Sequence, residues 1–241
     1  MTSVCPSPTS RCGGRSPERQ PGARSGLGTL RTVASPDDLP RDAPRAARDP
    51  RWLAHVAIFT GIIAVLGLVP ALPIPGMPVP ITLQTLGVML AGAVLGARKG
   101  GASVLLFLAL VAIGLPLLAG GRGGLGVFAG PSVGFLIGWP IAAFVIGWLT
   151  ERRGAPYSVP WGIAFNIVGG IVVVYAFGLV GMMVVADLTL GAAIVATAVF
   201  IPGDLVKAVL AALIAKAVHR SYPGLLRTRR PVNDAADVVS S

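Results

Sequence analysis

Charge is scarce in this chain. Only 12% of the 241 residues are charged while 54% are hydrophobic, against about 25% charged in soluble domains. Too few polar groups exist to coat such a body in water, and with a mean hydropathy of +0.76 the solvent it is built for is lipid. Histidine occurs twice, as His55 and His219, and cysteine twice, as Cys5 and Cys12. Both cysteines fall near the N-terminus, so neither can staple or ligate a metal inside the hydrophobic body, and their spacing fits no four-ligand zinc pattern. The apolar runs contain no Ser-His pair, no paired aspartates and no HExxH, which argues against an intramembrane enzyme. No ATP-binding motif is present, so any ATP-driven step belongs to other polypeptides. No cofactor is expected.

The charge that is present is basic, with a net charge of +10. Binding to nucleic acid would require those cations to share one folded surface. Instead nine of the twenty Lys and Arg lie in the first 51 residues and five between Lys216 and Arg230. That is the distribution of a membrane topology signal, so the expected surroundings are a lipid bilayer and not nucleic acid.

Residues 1–50 are rich in Arg, Pro, Ser, Gly and Asp and cannot bury enough apolar surface to offset chain entropy. They read as a disordered cytoplasmic tail, and 221–241 as a second. The first tail lacks the apolar core of a secretory signal peptide. An over-long start-codon assignment would give the same sequence pattern.

Between the tails, 51–220 alternates long apolar stretches with short breaks, and about 20 such residues cross a hydrocarbon core. Six stretches are counted, at 52–72, 82–97, 101–119, 133–150, 161–186 and 190–218, giving an all-α polytopic membrane protein of six spans. Arg98 with Lys99 and Arg152 with Arg153 mark two connections as cytoplasmic, and both basic tails then fall on that same side. The remaining loops carry one basic residue, Arg122.

Once the cytoplasmic charges are set aside, the body retains Arg122, Asp187, Asp204 and Lys207. Asp187 is most simply a turn residue. Asp204 and Lys207 lie inside the sixth stretch, where an ionised group costs roughly 2.5 to 3.5 kcal/mol and usually faces a cavity or a partner. Their spacing of three puts both on one helical face. They are either a substrate site or a private ion pair that locks helices together. Pro202 and Gly203 interrupt the span just ahead, as a simple kink or as a broken helix whose restart offers free N–H groups, with Asp204 placed to cap it.

The stretch Gly120-Gly121-Arg122-Gly123-Gly124-Leu125-Gly126 contains a formal GxGxxG, yet no strand precedes it and no acidic ribose ligand follows, so it is not a nucleotide fingerprint. Arg122 is either a solvated loop arginine or a planar donor fork for an incoming anion. The proline-rich loop 72–80 is extended, as a lid or as a passive connector. Thr82, Gln84 and Thr85 open the second span with hydrogen-bonding groups, and Gln84 is a candidate substrate-binding residue. Tyr175 in the fifth span is a candidate stacking residue or ordinary packing. In the first span, Ala57 and Gly61 form a small-xxx-small pair suited to close helix approach, within the bundle or toward a partner protein.

Three stretches, PVPITLQTLGVMLAGAVLGARKG at 78–100, GLPLLAGGRGGLGVFAGPSVGFLIGWPIAAFVIGWLTER at 114–152 and FIPGDLVKAVLAALIA at 200–215, resemble the BioY family, the biotin-capturing S components of energy-coupling-factor (ECF) transporters. The resemblance implies a compact bundle of six helices with a ligand site near the outer face, closed by the loop between the first two spans. It implies that Asp204 and Lys207, as the Asp and Lys of a PxDxxK segment, help hold biotin, and it sets Arg122 in the family's Gly-rich loop. Where family members usually carry GPTGG this chain has Gly130-Pro131-Ser132-Val133-Gly134. A transmembrane coupling protein and a pair of ATPases are the implied partners. The chemistry suits biotin: a carboxylate can accept from the ureido N–H groups, Lys207 can donate to the ureido carbonyl or pair with the ligand carboxylate, and Arg122 suits that carboxylate. The alternatives are a carrier for another small vitamin-like anion, or an assembly subunit without a ligand.

Overall fold

The structure is a computed structural model that describes residues 50–222 except 74 and 77. The two expected tails, apart from their innermost residues, and both cysteines lie outside the described residues. Within them the fold is all helical, with no β-strand beyond two isolated bridges, Leu72 with Ile81 and Leu118 with Arg122. The helices are α1 (Pro50–Gly67), α2 (Gln84–Ala112), α3 (Val133–Arg153), α4 (Val159–Ile167), α5 (Val174–Val185), α6 (Leu190–Ala198) and α7 (Ile201–Ser221). A 3-10 turn spans Leu125–Ala129, and a π-helical stretch, Val168–Val173, joins α4 to α5 without a break.

By length and composition four elements can cross a membrane: α1, α2, α3 and the continuous run Val159–Val185. The bent pair α6 and α7 makes a fifth if taken as one span. The second and third stretches of the sequence are the two arms of α2, which meet at a break at Gly96, and Arg98 and Lys99, expected in a connecting loop, are helical residues just after that break.

A straight helix of 29 residues would hold its ends about 43 Å apart. The side chain of Gln84 at the start of α2 nevertheless bonds Leu117 and Ala119 just beyond its end. The chain therefore doubles back, and the reversal sits at Gly96, whose φ of 81° and ψ of −176° are the one non-helical pair inside α2. Only glycine takes that conformation without strain. The two arms pack so closely that a β-carbon on Gly100 would lie 2.7 Å from the Ala91 carbonyl. Glu151 Oε1 accepts from the Ala97 N–H freed by the turn, at 3.0 Å.

The turn of α2, the C-terminus of α3 and the C-terminus of α7 share one end of the bundle, since His219 Nε2 lies 2.9 Å from the Ala93 carbonyl. That end carries Arg98, Lys99, Arg152 and Arg153. Arg152 sits 3.9 Å over the Trp148 ring and Arg153 4.6 Å over the Trp161 ring, the amphipathic pairing expected at a membrane interface. At the opposite end lie the start of α2, the loop after it, and the first turns of α3 and α7. Ile63, Val88, Phe107, Trp139 and Tyr175 belong to the core cluster on that side, and Met89, Ile146 and Ala211 to a second cluster.

Candidate functional site

The end of the bundle away from the basic residues holds a pocket that is partly open at its mouth. Its walls come from the loop residues Val79–Ile81, the first turn of α2, Leu118 and Arg122, one face of α3, and Val174, Tyr175, Phe200, Asp204 and Lys207. Most of this lining is apolar, and the polar groups converge on one spot.

Asp204 and Lys207 are only 4% and 6% exposed, one turn apart on α7. Lys207 Nζ donates to Asp204 Oδ1 at 2.8 Å, to Thr85 Oγ1 at 3.0 Å and to the Thr82 carbonyl at 2.6 Å. Thr85 Oγ1 in turn donates to Asp204 Oδ1 at 3.3 Å. Tyr175 OH donates to Asp204 Oδ2 at 2.6 Å. An ion pair taken out of water is tolerable only when its remaining donors and acceptors are satisfied, and here three residues, Thr82 before α2, Thr85 on α2 and Tyr175 on α5, satisfy it. The sequence did not single out Thr82 and Thr85 as partners of Lys207; two hydroxyl residues at a span entry were the available signal.

Local structure explains the convergence. The bend of 50° between α6 and α7 lets α7 restart at Ile201, with Pro202 in its first turn, where a missing N–H costs nothing. The expected N-cap role of Asp204 is not what the structure shows. The cap position is Phe200, no side chain caps it, and the Asp204 carboxylate is engaged by Lys207, Thr85 and Tyr175. On the facing run, π-helical turns at Val168–Val173 immediately precede Tyr175, and such widened turns shift the angular register of all that follows. Gly169 and Gly170 pack there against Ile146 and Met89 with no room for a β-carbon.

Gln84 lines the cavity but is 1% exposed. Its Nε2 donates to the carbonyls of Ile63 at 3.4 Å and Leu117 at 3.0 Å, and its Oε1 accepts from Ala119 N–H at 3.0 Å. Both donors are therefore engaged in tying α1, α2 and the Gly-rich loop together. Arg122 is exposed at the cavity wall; its Nε donates to the Ala119 carbonyl at 3.4 Å, and it makes no ion pair among the described residues. The loop that carries it turns tightly at Gly120 and Gly121, both with positive φ. Phe135 packs edge-on against both Tyr175 and Phe200 at 6.4 and 6.3 Å, so Tyr175 combines packing with its hydrogen bond. Ala57 and Gly61 lie elsewhere, on the outward face of α1, and nothing approaches within 4 Å of a β-carbon built on Gly61.

Residues 40–224 match the BioY family. The chain belongs to that family. Among its relatives are the biotin transporters BioY of Rhizobium etli, 51% identical over 72% of this chain and 95% of the relative, and of Rhodobacter capsulatus, 51% identical over 74% and 98%. These BioY proteins are named as transporters, not enzymes. The backbone is similar to the crystal structure at 2.1 Å of the S-component for biotin from an ECF-type ABC transporter, with a TM-score of 0.68, 34% identity, and coverage of 74% of this chain and 95% of that one. Transporter relatives and several apolar helices together make this BioY chain a multi-pass membrane protein.

Proposed function

We propose that this chain captures biotin as the S component of an ECF-type transporter and delivers it across the cytoplasmic membrane. The observation that carries the reading is the buried Asp204–Lys207 pair at the wall of a mostly apolar cavity, in a chain whose relatives are named biotin transporters. Biotin has an apolar bicycle and chain, with a ureido group at one end and a carboxylate at the other. Asp204 Oδ2 accepts one hydrogen bond, from Tyr175, which leaves a lone pair for a ureido N–H. Arg122, exposed and without an ion pair among the described residues, suits the carboxylate. Gln84 holds the wall in shape, and Tyr175 orients Asp204.

The architecture is read as a compact bundle of six helices with cytoplasmic termini, the two arms of α2 counting as separate crossings and α6–α7 as one. Residues 51–220 form the substrate-binding body between two cytoplasmic tails. The loop before Ile81, bridged to Leu72, serves as the lid. Ala57 and Gly61 present a small, outward surface on α1 to the transmembrane coupling protein, which joins the chain to an ATPase pair. Internal packing does not use these two residues, which supports the reading.

Binding of radiolabelled biotin to the purified protein, with thiamine and riboflavin as comparison ligands, tests the function. Saturable binding of biotin alone is expected. Preference for either other vitamin would reassign the substrate, and no binding to any of the three would favour an assembly subunit.

A further inference from the structure

Lys207 has three N–H donors, and all three are engaged within the protein, by Asp204, Thr85 and the Thr82 carbonyl. Both donors of Gln84 are engaged as well. One residue lining the cavity, Trp139, nevertheless carries a buried side-chain donor with no partner among the described residues, its Nε1. Trp139 is 5% exposed. Tryptophan can only donate, and a buried N–H left unpaired is a standing cost that a ligand acceptor would remove.

The depth of Trp139 says which part of a ligand it meets. α3 and α7 both start at the cavity end and finish at the basic end. At 1.5 Å per residue, Trp139 lies about 9 Å from the start of α3 and Lys207 about 9 Å from the start of α7. Arg122 stands on the exposed loop at the mouth. A ligand with its carboxylate at Arg122 thus presents its far end toward Trp139 and the Asp204–Lys207 pair.

We propose that Trp139 Nε1–H is the donor that reads the ureido carbonyl of biotin, while Lys207 remains committed to its protein partners and acts by holding the Asp204 carboxyl in position. This rests on biotin being the ligand. Asp204 then accepts from the ureido N–H side and Trp139 donates to the carbonyl oxygen, so that the two ends of the ureido dipole are each met by a group of the right sense.

The test is Trp139→Phe, which removes the N–H and keeps a ring against Phe107, at present 6.3 Å away. Affinities are measured for biotin, for desthiobiotin, which keeps the ureido group and lacks the thioether, and for 2-thiobiotin, whose C=S is a poor acceptor. Loss of about three- to tenfold for biotin and desthiobiotin, with less than twofold for 2-thiobiotin, is the expected result. Equal loss for all three would reduce Trp139 to packing, and a loss confined to biotin would make the thioether its partner; either overturns the assignment, as does unchanged binding. Phe107→Leu, which alters the packing of the ring and leaves the N–H, should weaken all three alike. Failure of the unsubstituted protein to bind biotin at all would remove the functional reading itself, and is distinguished from these outcomes before any variant is made.

Discussion

At the scale of single residues, the site is an ion pair held by its surroundings. Removing one member of a buried pair leaves the other charged and uncompensated, at a cost of about 3 to 5 kcal/mol. Asp204→Asn and Lys207→Met should each lower thermal stability and weaken biotin binding strongly. The double variant Asp204→Leu with Lys207→Met should recover stability, since neither charge is stranded, and still fail to bind. Normal binding by that double variant would make the pair purely structural. Arg122 acts at longer range from the pair. Biotin methyl ester should bind more weakly than biotin by about 1.5 to 3 kcal/mol, the worth of a hydrogen bond to a charged group, and Arg122→Ala should erase most of that difference. Discrimination that survives the substitution would move the carboxylate contact to other donors.

Among elements, α2 and α1 carry separate consequences. The reversal of α2 depends on Gly96: a β-carbon there would lie 2.0 Å from Glu151 Oε1, on a backbone with positive φ. Gly96→Ala should therefore cost roughly 1 to 3 kcal/mol, read as a lower unfolding temperature in detergent, with Gly76→Ala, whose β-carbon would meet nothing, as a comparison for backbone strain alone. A Gly96 variant as stable as the comparison would mean that α2 can relax without its tight turn. On α1, only Val56, Thr60, Ile63 and Gly67 are buried, so the Ala57 and Gly61 face is free for another helix. Gly61→Leu should leave biotin affinity of the purified chain unchanged and reduce uptake in cells that hold the coupling protein and ATPases. Loss of affinity in the isolated chain would show instead that this face supports the fold.

For the molecule as a whole, orientation is the open physical quantity, and it follows from where the basic residues gather. Arg98, Lys99, Arg152 and Arg153 share one end, and the cavity opens at the other. The positive-inside tendency then points the cavity outward. With Cys5 and Cys12 replaced, a single cysteine at the exposed Pro78 should react with an impermeant reagent added to intact cells, and one at Arg153 should react only after permeabilisation. The reverse pattern would invert the topology and turn the cavity toward the cytoplasm.

Much of this was legible in the residues alone, because lipid is an unforgiving solvent. A charge costs so much inside a span that Asp204 and Lys207 stood out without any coordinates, and their spacing of three placed them on one face. The all-helical class and the location of the apolar runs followed from the same cost applied to backbone groups. What the sequence left open were questions of contact between residues far apart in the chain. Gln84 looked like a ligand group, and only the fold shows its amide fastened to Ile63, Leu117 and Ala119. Asp204 looked like a helix cap, yet Tyr175 and Thr85 claim its oxygens from 29 and 119 residues away. Trp139 gave no signal at all, since an apolar ring in an apolar helix reads as packing until the residue is found lining a cavity with its buried N–H unpaired among the described residues. Burial of charge is a local cost written into each residue, whereas the pairing of donors and acceptors is a property of distances that exist only once the helices have packed.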